Sequence, residues 1–115
     1  MSKRQPRDSD SPLGSFEEHV MLAIARVRKE AYAVNVRREI EARTDREIAM
    51  GAVYATLDRL EAKELVASWR ESVDQLSRRM FALTTEGIAA LAETRNMRDR
   101  LWHGLDLRKI ATRVV

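Results

Sequence analysis

The sequence predicts a mainly α-helical fold with one β-hairpin, on three observations. Between Phe16 and Glu64, apolar residues recur at three- and four-residue steps, the period of helices that bury one face. From Leu65 to Leu83 this period gives way to two short runs rich in valine and aromatic residues. A helical pattern then resumes to about Trp102. This order is typical of a winged helix-turn-helix, with a two-stranded β wing and an added carboxy-terminal helix.

The first helix is predicted over residues 16–28. Ser15 and Glu18 have the spacing of a capping box, in which each side chain accepts a hydrogen bond from a free amide at the helix start. Phe16, Val20 and Ile24 recur on one face, with Val27 one turn later, and form the predicted buried stripe.

The second helix is predicted over residues 33–43, where Val36 and Ile40 are spaced for burial. The third helix begins near Ala49, after a short polar link. Its buried stripe is Val53, Leu57 and Leu60. Its outward face is predicted to hold mainly small residues, which allow close approach to another surface: Gly51, Ala55, Asp58 and Ala62, flanked by Ala52 and Arg59.

Residues 65–73 and 78–83 are predicted as antiparallel strands, because the polar link over residues 74–77 is short enough for a hairpin. Thr84 is the expected N-cap of the final helix. Glu86 then lies at the positive end of that helix, and Gly104 indicates its end.

Length and composition limit the class of protein. A chain of 115 residues is sufficient for one domain with a modest core. Its net charge of +3 permits nucleic-acid binding, and the absence of cysteine excludes disulfides and thiolate metal sites. No apolar run approaches the roughly 20 residues that span a bilayer, so a cytoplasmic protein is expected. The predicted parts are a disordered arm (1–12), a DNA-binding domain (13–84), and a dimerisation helix with its tail (85–115).

The arm contains prolines, serines and charges but almost nothing to bury. Lys3, Arg4 and Arg7 could contact a phosphate backbone. Because Asp8 and Asp10 follow them, a solvated tail is the favoured interpretation.

Several ordered motifs resemble one family of bacterial transcription regulators. They are Leu13-Gly-Ser-Phe-Glu, Ala31-Tyr32, Gly51-Ala-Val-Tyr54, Leu57-Asp-Arg-Leu-Glu61, Arg78-Arg79 and Phe81-Ala-Leu-Thr84-Thr-Glu-Gly87. In these residues, and over about 13–91, the chain is similar to the PadR family. Its short carboxy-terminal segment resembles the smaller subfamily that uses one long final helix.

The resemblance implies a homodimer that binds a palindromic operator, usually as a repressor, and is released by a small molecule or a stress signal. It also implies that Tyr54 and the wing arginines contact DNA, and that the first and last helices form the dimer. The chain departs from the family at Ala33 and Glu64, where relatives often have glycine, and at Ala49, where they often have a capping serine. Its wing tip lacks glycine as well.

The third helix and the wing supply the predicted DNA contacts. They are Met50, Gly51, Tyr54, Thr56, Arg59, Lys63, Arg70, Arg78 and Arg79. Arg78 and Arg79 are the strongest candidates, although charged residues also protect exposed edge strands. Tyr54 could instead pack at the margin of the core. Because the outward face is chemically plain, specificity is expected to depend partly on DNA shape.

The final helix carries an imperfect heptad seam that a single domain leaves uncovered. The predicted dimer interface is Phe16, Val20, Ile24, Ile88, Leu91, Leu101, Trp102 and Leu105. Folding of this helix back onto its own domain is the alternative. Trp102 is also the candidate for a slot that takes a flat apolar or aromatic effector, with plain interface packing as the alternative.

Other classes of function are less well supported by the residues. His19 and His103 lie far apart without a nearby nucleophile or a paired carboxylate, so an enzyme is not predicted. His103 with Asp99 and Asp106 is weak support for a metal site, and neither a metal nor a cofactor is predicted. A winged-helix module that binds protein without DNA remains the alternative function.

Overall fold

Six regular elements follow one another in the predicted order. The structure, a computed structural model, describes residues 13–110. The elements are α1 (Ser15–Val27), α2 (Ala33–Thr44), α3 (Met50–Ala62), β1 (Val66–Val73), β2 (Leu76–Leu83) and α4 (Thr85–Trp102), with short 3-10 turns at Arg28–Glu30 and Leu107–Lys109. The winged helix-turn-helix with a long last helix is therefore confirmed. The arm over residues 1–12 and the last five residues lie outside the described part of the chain.

One core joins the three amino-terminal helices to the base of the wing. It consists of the buried stripes of α1, α2 and α3, closed by residues where the wing begins and ends: Val20, Met21, Ile24, Val36, Ile40, Val53, Leu57, Leu60, Leu65, Val66 and Phe81. The helical periods therefore identified the buried faces correctly. The outward face of α3 points away from this core, as predicted.

The start of α1 differs by one residue from the predicted capping box. Gly14 is the N-cap, and its amide donates to Oε1 of Glu17 over 3.0 Å. The spacing of Ser15 and Glu18 is the same, but Glu18 instead accepts 2.6 and 3.3 Å hydrogen bonds from Arg98 on α4. The predicted cap was wrong because Gly14 with Glu17 and Ser15 with Glu18 have the same spacing. Glu18 is bound by Arg98, and Glu17 accepts the hydrogen bond at the helix start instead.

The wing is a regular antiparallel hairpin with a shorter turn than predicted. Val66 pairs with Leu83, and Val73 pairs with Leu76. The turn contains only Asp74 and Gln75, at φ 51° and 65°. Two consecutive positive φ values match the hairpin turns that usually contain glycine or asparagine.

A third backbone segment extends this sheet at one point. Tyr32 forms an isolated antiparallel bridge with Met80, and the Phe81 amide donates to the Ala31 carbonyl oxygen over 2.8 Å. The sequence pattern did not predict this pairing, because a single bridge has no periodicity to detect. This bridge fixes the beginning of α2 against the wing.

The exit from α3 and the start of α4 meet at one threonine. Glu64, in the position where relatives often have glycine, has the left-handed φ of 62° that such a turn requires. Thr84 donates from Oγ1 to the Glu64 carbonyl oxygen over 2.7 Å and accepts from the Gly87 amide over 2.9 Å. The predicted N-cap at Thr84 is confirmed, and the same hydroxyl also anchors the turn that precedes the wing.

α4 packs on the domain as far as Arg98, whereas its last residues extend beyond it. Gly87 and Thr94 are buried, and Arg98 is held by Glu18 on α1. Beyond this pair, Leu101 and Trp102 are exposed. Within residues 13–110, no helix combines the length and apolar character needed to cross a bilayer.

Candidate nucleic-acid interface

The outward face of α3 forms a low, open surface. Gly51, Ala52 and Ala55 are all exposed near its first turns. A Cβ placed on Gly51 would have no neighbouring atom within 4 Å. A helix with such a face can approach a groove of duplex DNA closely, because no large side chain holds its backbone away.

Tyr54 lies at the edge of this face, with 48% of its surface exposed. It borders a cleft of about 280 Å³ between α3, the beginning of α2 and the wing. The cleft is lined by Tyr32, Ala33, Val34, Tyr54, Arg70, Ser77, Arg78, Arg79 and Phe81. Three of the predicted DNA-contacting residues on the wing and the exposed tyrosine of α3 are therefore brought together.

Arg78 is held over an aromatic ring inside this cleft. Its Cζ lies 4.3 Å from the centroid of the Tyr32 ring, at the distance of a cation–π contact. Its Nε is buried without a hydrogen-bond partner within residues 13–110. No role is predicted for Tyr32 from the sequence, because its place in the cleft depends on the single bridge to Met80.

Arg79 points to α3 and is already paired with two carboxylates. Its Nη1 lies 2.9 Å from Oδ1 of Asp58, and its Nη2 forms an ion pair with Glu61. Its Nε donates to Oγ of Ser68 over 3.3 Å. Arg78 and Arg79 are neighbours in the sequence, but they occupy different environments.

Three predicted contacts on α3 or at its C-cap have side chains that are engaged or enclosed. Thr56 is only 2% exposed and accepts from Nη2 of Arg59 over 3.2 Å, so its side chain is not available to DNA. Lys63 and Arg59 approach the Glu17 carboxylate to 2.8 and 3.5 Å. Both cations are therefore partly neutralised by α1.

Glu17 is a buried carboxylate that is not predicted as a site residue from the sequence. Burial opposes its ionisation, but hydrogen bonds from Lys63 and the Gly14 amide, with the charges of Lys63 and Arg59, together hold the pKa of Glu17 below its ordinary value. The carboxylate joins the beginning of α1 to the end of α3. Only the tertiary fold brings these two ends together, so no local spacing could have indicated the site.

The other two predicted DNA contacts differ in exposure. Arg70 is exposed on β1, directly opposite Arg79 in the hairpin register. Met50 begins α3 and is partly buried against the core.

The residues predicted for a dimer interface divide into two groups. Val20 and Ile24 are almost fully enclosed in the core of the chain itself, and Phe16 and Leu91 pack partly against it. Val20 and Ile24 therefore offer no surface to a second copy, which corrects the prediction for these two residues. The exposed group is Ile88, Leu101, Trp102 and Leu105, and Leu22 on α1 is exposed as well.

Trp102 has 56% of its surface exposed near the end of α4. Among residues 13–110, no group of three histidine, aspartate or glutamate side chains is arranged to hold a metal ion. His103 with Asp99 and Asp106 therefore does not form such a cluster.

Comparison with known proteins gives a consistent family and fold. The model of the transcriptional regulator PadR-like family matches residues 21–93, more than half of the chain. A PadR family transcriptional regulator from Eggerthella lenta is 25% identical, with a TM-score of 0.64 over 81% of this chain and 82% of that chain. No curated protein sequence matches the chain significantly.

Two further solved structures share the fold at lower identity. RosR of H. salinarum is 24% identical, with a TM-score of 0.65 over 91% of this chain and 87% of that chain. Bordetella bronchiseptica BpsR, whose DNA binding is regulated by 6-hydroxynicotinic acid, is 22% identical, with a TM-score of 0.61 over 90% of this chain and 83% of that chain.

Proposed function

Because the chain belongs to the PadR-like family of transcriptional regulators, we propose that it binds a palindromic DNA operator as a homodimer and represses transcription until a small molecule or a stress signal releases it. Regulators of this family are transcription factors and not enzymes. The DNA-contacting surface proposed here consists of the outward face of α3 and the cleft beside it.

The observation that carries this proposal is the placement of Tyr54 beside Arg70 and Arg78 in one cleft next to α3. A helix of 13 residues is about 20 Å long, and a groove about 12 Å wide admits it along its small-residue face. Tyr54 would then reach a base edge or a sugar, while Arg70 and Arg78 neutralise phosphates beside the groove. Tyr32 beneath Arg78 keeps that guanidinium in place.

The proposed dimer uses the part of α4 that extends beyond its own domain. Leu101, Trp102 and Leu105 are exposed along this segment, and such a group of large apolar side chains is costly to leave in water. A second copy packed there would cover them. Two recognition helices held about 34 Å apart then meet successive major grooves on one face of the duplex.

We place the effector at Trp102, between the two copies. An indole shared with its symmetry mate offers a flat apolar surface for a small aromatic molecule. BpsR, which shares this fold and whose DNA binding is regulated by 6-hydroxynicotinic acid, supports an effector of this size. In a Trp69→Phe background, planar aromatic compounds should quench the fluorescence of Trp102, and no response to any of them leaves interface packing as its role.

A mobility-shift assay at fixed salt tests the DNA surface. A duplex that the protein selects from a random pool serves as the operator, and Tyr54→Ala should weaken its binding at least about fivefold, since a buried base or sugar contact is worth about 1–3 kcal/mol. Trp69→Phe is the matched control, because Trp69 is an exposed aromatic of the wing that lies outside this cleft. Equal affinities of the Tyr54→Ala and control proteins would contradict the proposed surface.

A further inference from the structure

One guanidinium joins three elements within the proposed DNA surface. Arg79 on β2 contacts Asp58 and Glu61 on α3, and its Nε donates to Ser68 on β1. Ser68 in turn donates to the second oxygen of Glu61 over 2.5 Å. Below the guanidinium, the Phe81 ring centroid lies 4.8 Å from Cζ. We call these five residues the Arg79 clamp.

The clamp leaves Arg79 little capacity for a phosphate. All three of its nitrogens are engaged, and its side chain is 32% exposed. The hydrogen bond from Ser68, followed by the ion pair with Arg79, holds the pKa of Glu61 below its ordinary value against desolvation. If Arg79 turned to DNA, Asp58 and Glu61 would be left as two unpaired carboxylates beside the phosphate backbone, which costs binding energy.

Arg78, the neighbour of Arg79 on β2, has different surroundings. Successive side chains of a strand leave it on opposite faces, so Arg78 and Arg79 meet different partners although both border the cleft. Arg78 lies over Tyr32 with its Nε unpaired within residues 13–110, whereas Arg79 is paired on every side. Of these two arginines, Arg78 is the one arranged to accept a new anion.

Asp58 and Glu61 are three residues apart on α3 and therefore lie on one side of the helix. A guanidinium that binds both while it touches Ser68 fixes the angle between α3 and the wing, because a planar fork tolerates little rotation. DNA binding by a winged helix requires α3 and the wing to meet one duplex together, so this angle must be correct before contact.

We propose that Arg79 is a positioning residue for DNA recognition, which sets the wing against α3 through Asp58 and Glu61 and does not contact phosphate. This inference rests on the proposed function, since it assigns a role within the same surface. It replaces the phosphate contact that the sequence predicts for Arg79.

Two duplexes separate positioning from phosphate contact. One carries the sequence selected by the wild-type protein, and the other is a random sequence of the same composition. A phosphate contact contributes to both affinities, whereas positioning favours the selected sequence. The variants are Arg79→Ala, the double variant Asp58→Asn with Glu61→Gln, and Arg78→Ala as the matched control, each assayed where circular dichroism shows it fully folded.

Positioning and phosphate contact predict different affinities for the same variants. Arg79→Ala should lower the ratio of selected to random affinity about tenfold, and the double variant should lower it in the same direction although it removes two negative charges. Combining Arg79→Ala with Asp58→Asn and Glu61→Gln should lower this ratio little further than Arg79→Ala alone. Arg78→Ala should weaken both duplexes by a similar factor. If Arg79→Ala weakens both duplexes equally, and the double variant tightens both at a constant ratio, then Arg79 contacts phosphate and the proposal is wrong.

A second measurement needs no DNA. The chain has two tryptophans, so Trp69 on β1 is the only one left in a Trp102→Phe background. Loss of the clamp should increase the nanosecond motion of Trp69 seen in time-resolved anisotropy, in both the Arg79→Ala and the Asp58→Asn, Glu61→Gln proteins. Unchanged anisotropy would overturn the positioning role. If the wild-type protein selects no sequence while the anisotropy does change, the proposed function fails and the clamp itself stands.

Discussion

Gly87 lies directly against the carbonyl oxygen of Leu65, where α4 begins beside the exit from α3. A Cβ on Gly87 would be 2.0 Å from this oxygen and 3.2 Å from the terminal methyl of Met21. The close approach lets α4 start at the base of the wing, where Thr84 caps it. The direction of the proposed dimerisation helix thus depends on one glycine.

Gly87→Ala is therefore expected to destabilise the protein by about 3 kcal/mol, because the clash involves backbone that cannot move without shifting α4. Gly51→Ala is the matched control. It lies in a helix with open space around its Cβ, and we expect it to stabilise the fold by about 0.5 kcal/mol. Urea unfolding of both variants measures the difference, and equal free energies of unfolding would contradict the packing described here.

Arg78→Ala should reduce the salt dependence of DNA binding. A cation that neutralises one phosphate contributes about 0.9 to the slope of log affinity against log salt concentration, so this variant should lose about one unit. Arg108→Ala serves as the control, since Arg108 pairs with Asp106 far along the chain from the wing. Mobility shifts across a range of salt concentrations give both slopes, and an unchanged slope for Arg78→Ala would remove it from the phosphate contacts.

Glu17 should make the stability of the fold sensitive to acid. The pKa of Glu17 is lowered in the folded state from an ordinary value of 4.5. The contribution of the ionised carboxylate to the free energy of unfolding is therefore complete above that pH. It is lost as the pH falls below 4.5 and through the folded pKa. Glu17→Gln should lower the free energy of unfolding by about 1–2 kcal/mol at pH 7. It should also make the fall of that free energy below pH 4.5 less steep.

The matched control for this change is Glu93→Gln, whose ion pair with Arg100 is exposed on both sides. An exposed ion pair contributes little to stability, so the control should show the same dependence of the free energy of unfolding on pH as the wild type. Denaturant unfolding between pH 3 and pH 7 compares the three proteins. A Glu17→Gln curve that runs parallel to the wild-type curve throughout would show that this carboxylate is not the source of the acid sensitivity.

Leu101→Glu should dissociate the proposed dimer. Leu101 is 69% exposed on the part of α4 that extends from its own domain, so a carboxylate there disturbs a second copy and not the core. Leu76→Glu places the same charge on an equally apolar, exposed site of the wing. Light scattering should give 13.2 kDa for the first variant and twice that mass for the wild type and the control.

Much of the fold could be predicted because its signals are local. The stripe of Val53, Leu57 and Leu60 repeats with the helical period, and each of its members is buried. Thr84 precedes a helix at the distance where its hydroxyl reaches the Gly87 amide. Period and capping depend only on neighbouring residues, so the sequence contains them.

The site could be predicted only in part, because its pairings depend on how the elements cross. Arg78 and Arg79 look alike in the sequence, yet one lies over Tyr32 and the other binds Asp58 and Glu61. Thr56 faces inward because the buried side of α3 is wider than its apolar stripe. No short-range pattern encodes the angle between the wing and α3, which determines these partners.

The central claim is that this chain binds a two-fold symmetric DNA operator. Footprinting of the purified protein on genomic fragments, starting with the DNA upstream of its own gene, tests it most directly. We predict two protected half-sites about one helical turn apart, related by two-fold symmetry, and lost at high salt. No protection on any fragment, together with capture of a protein partner in the absence of nucleic acid, would contradict the claim and favour a winged-helix module that binds protein.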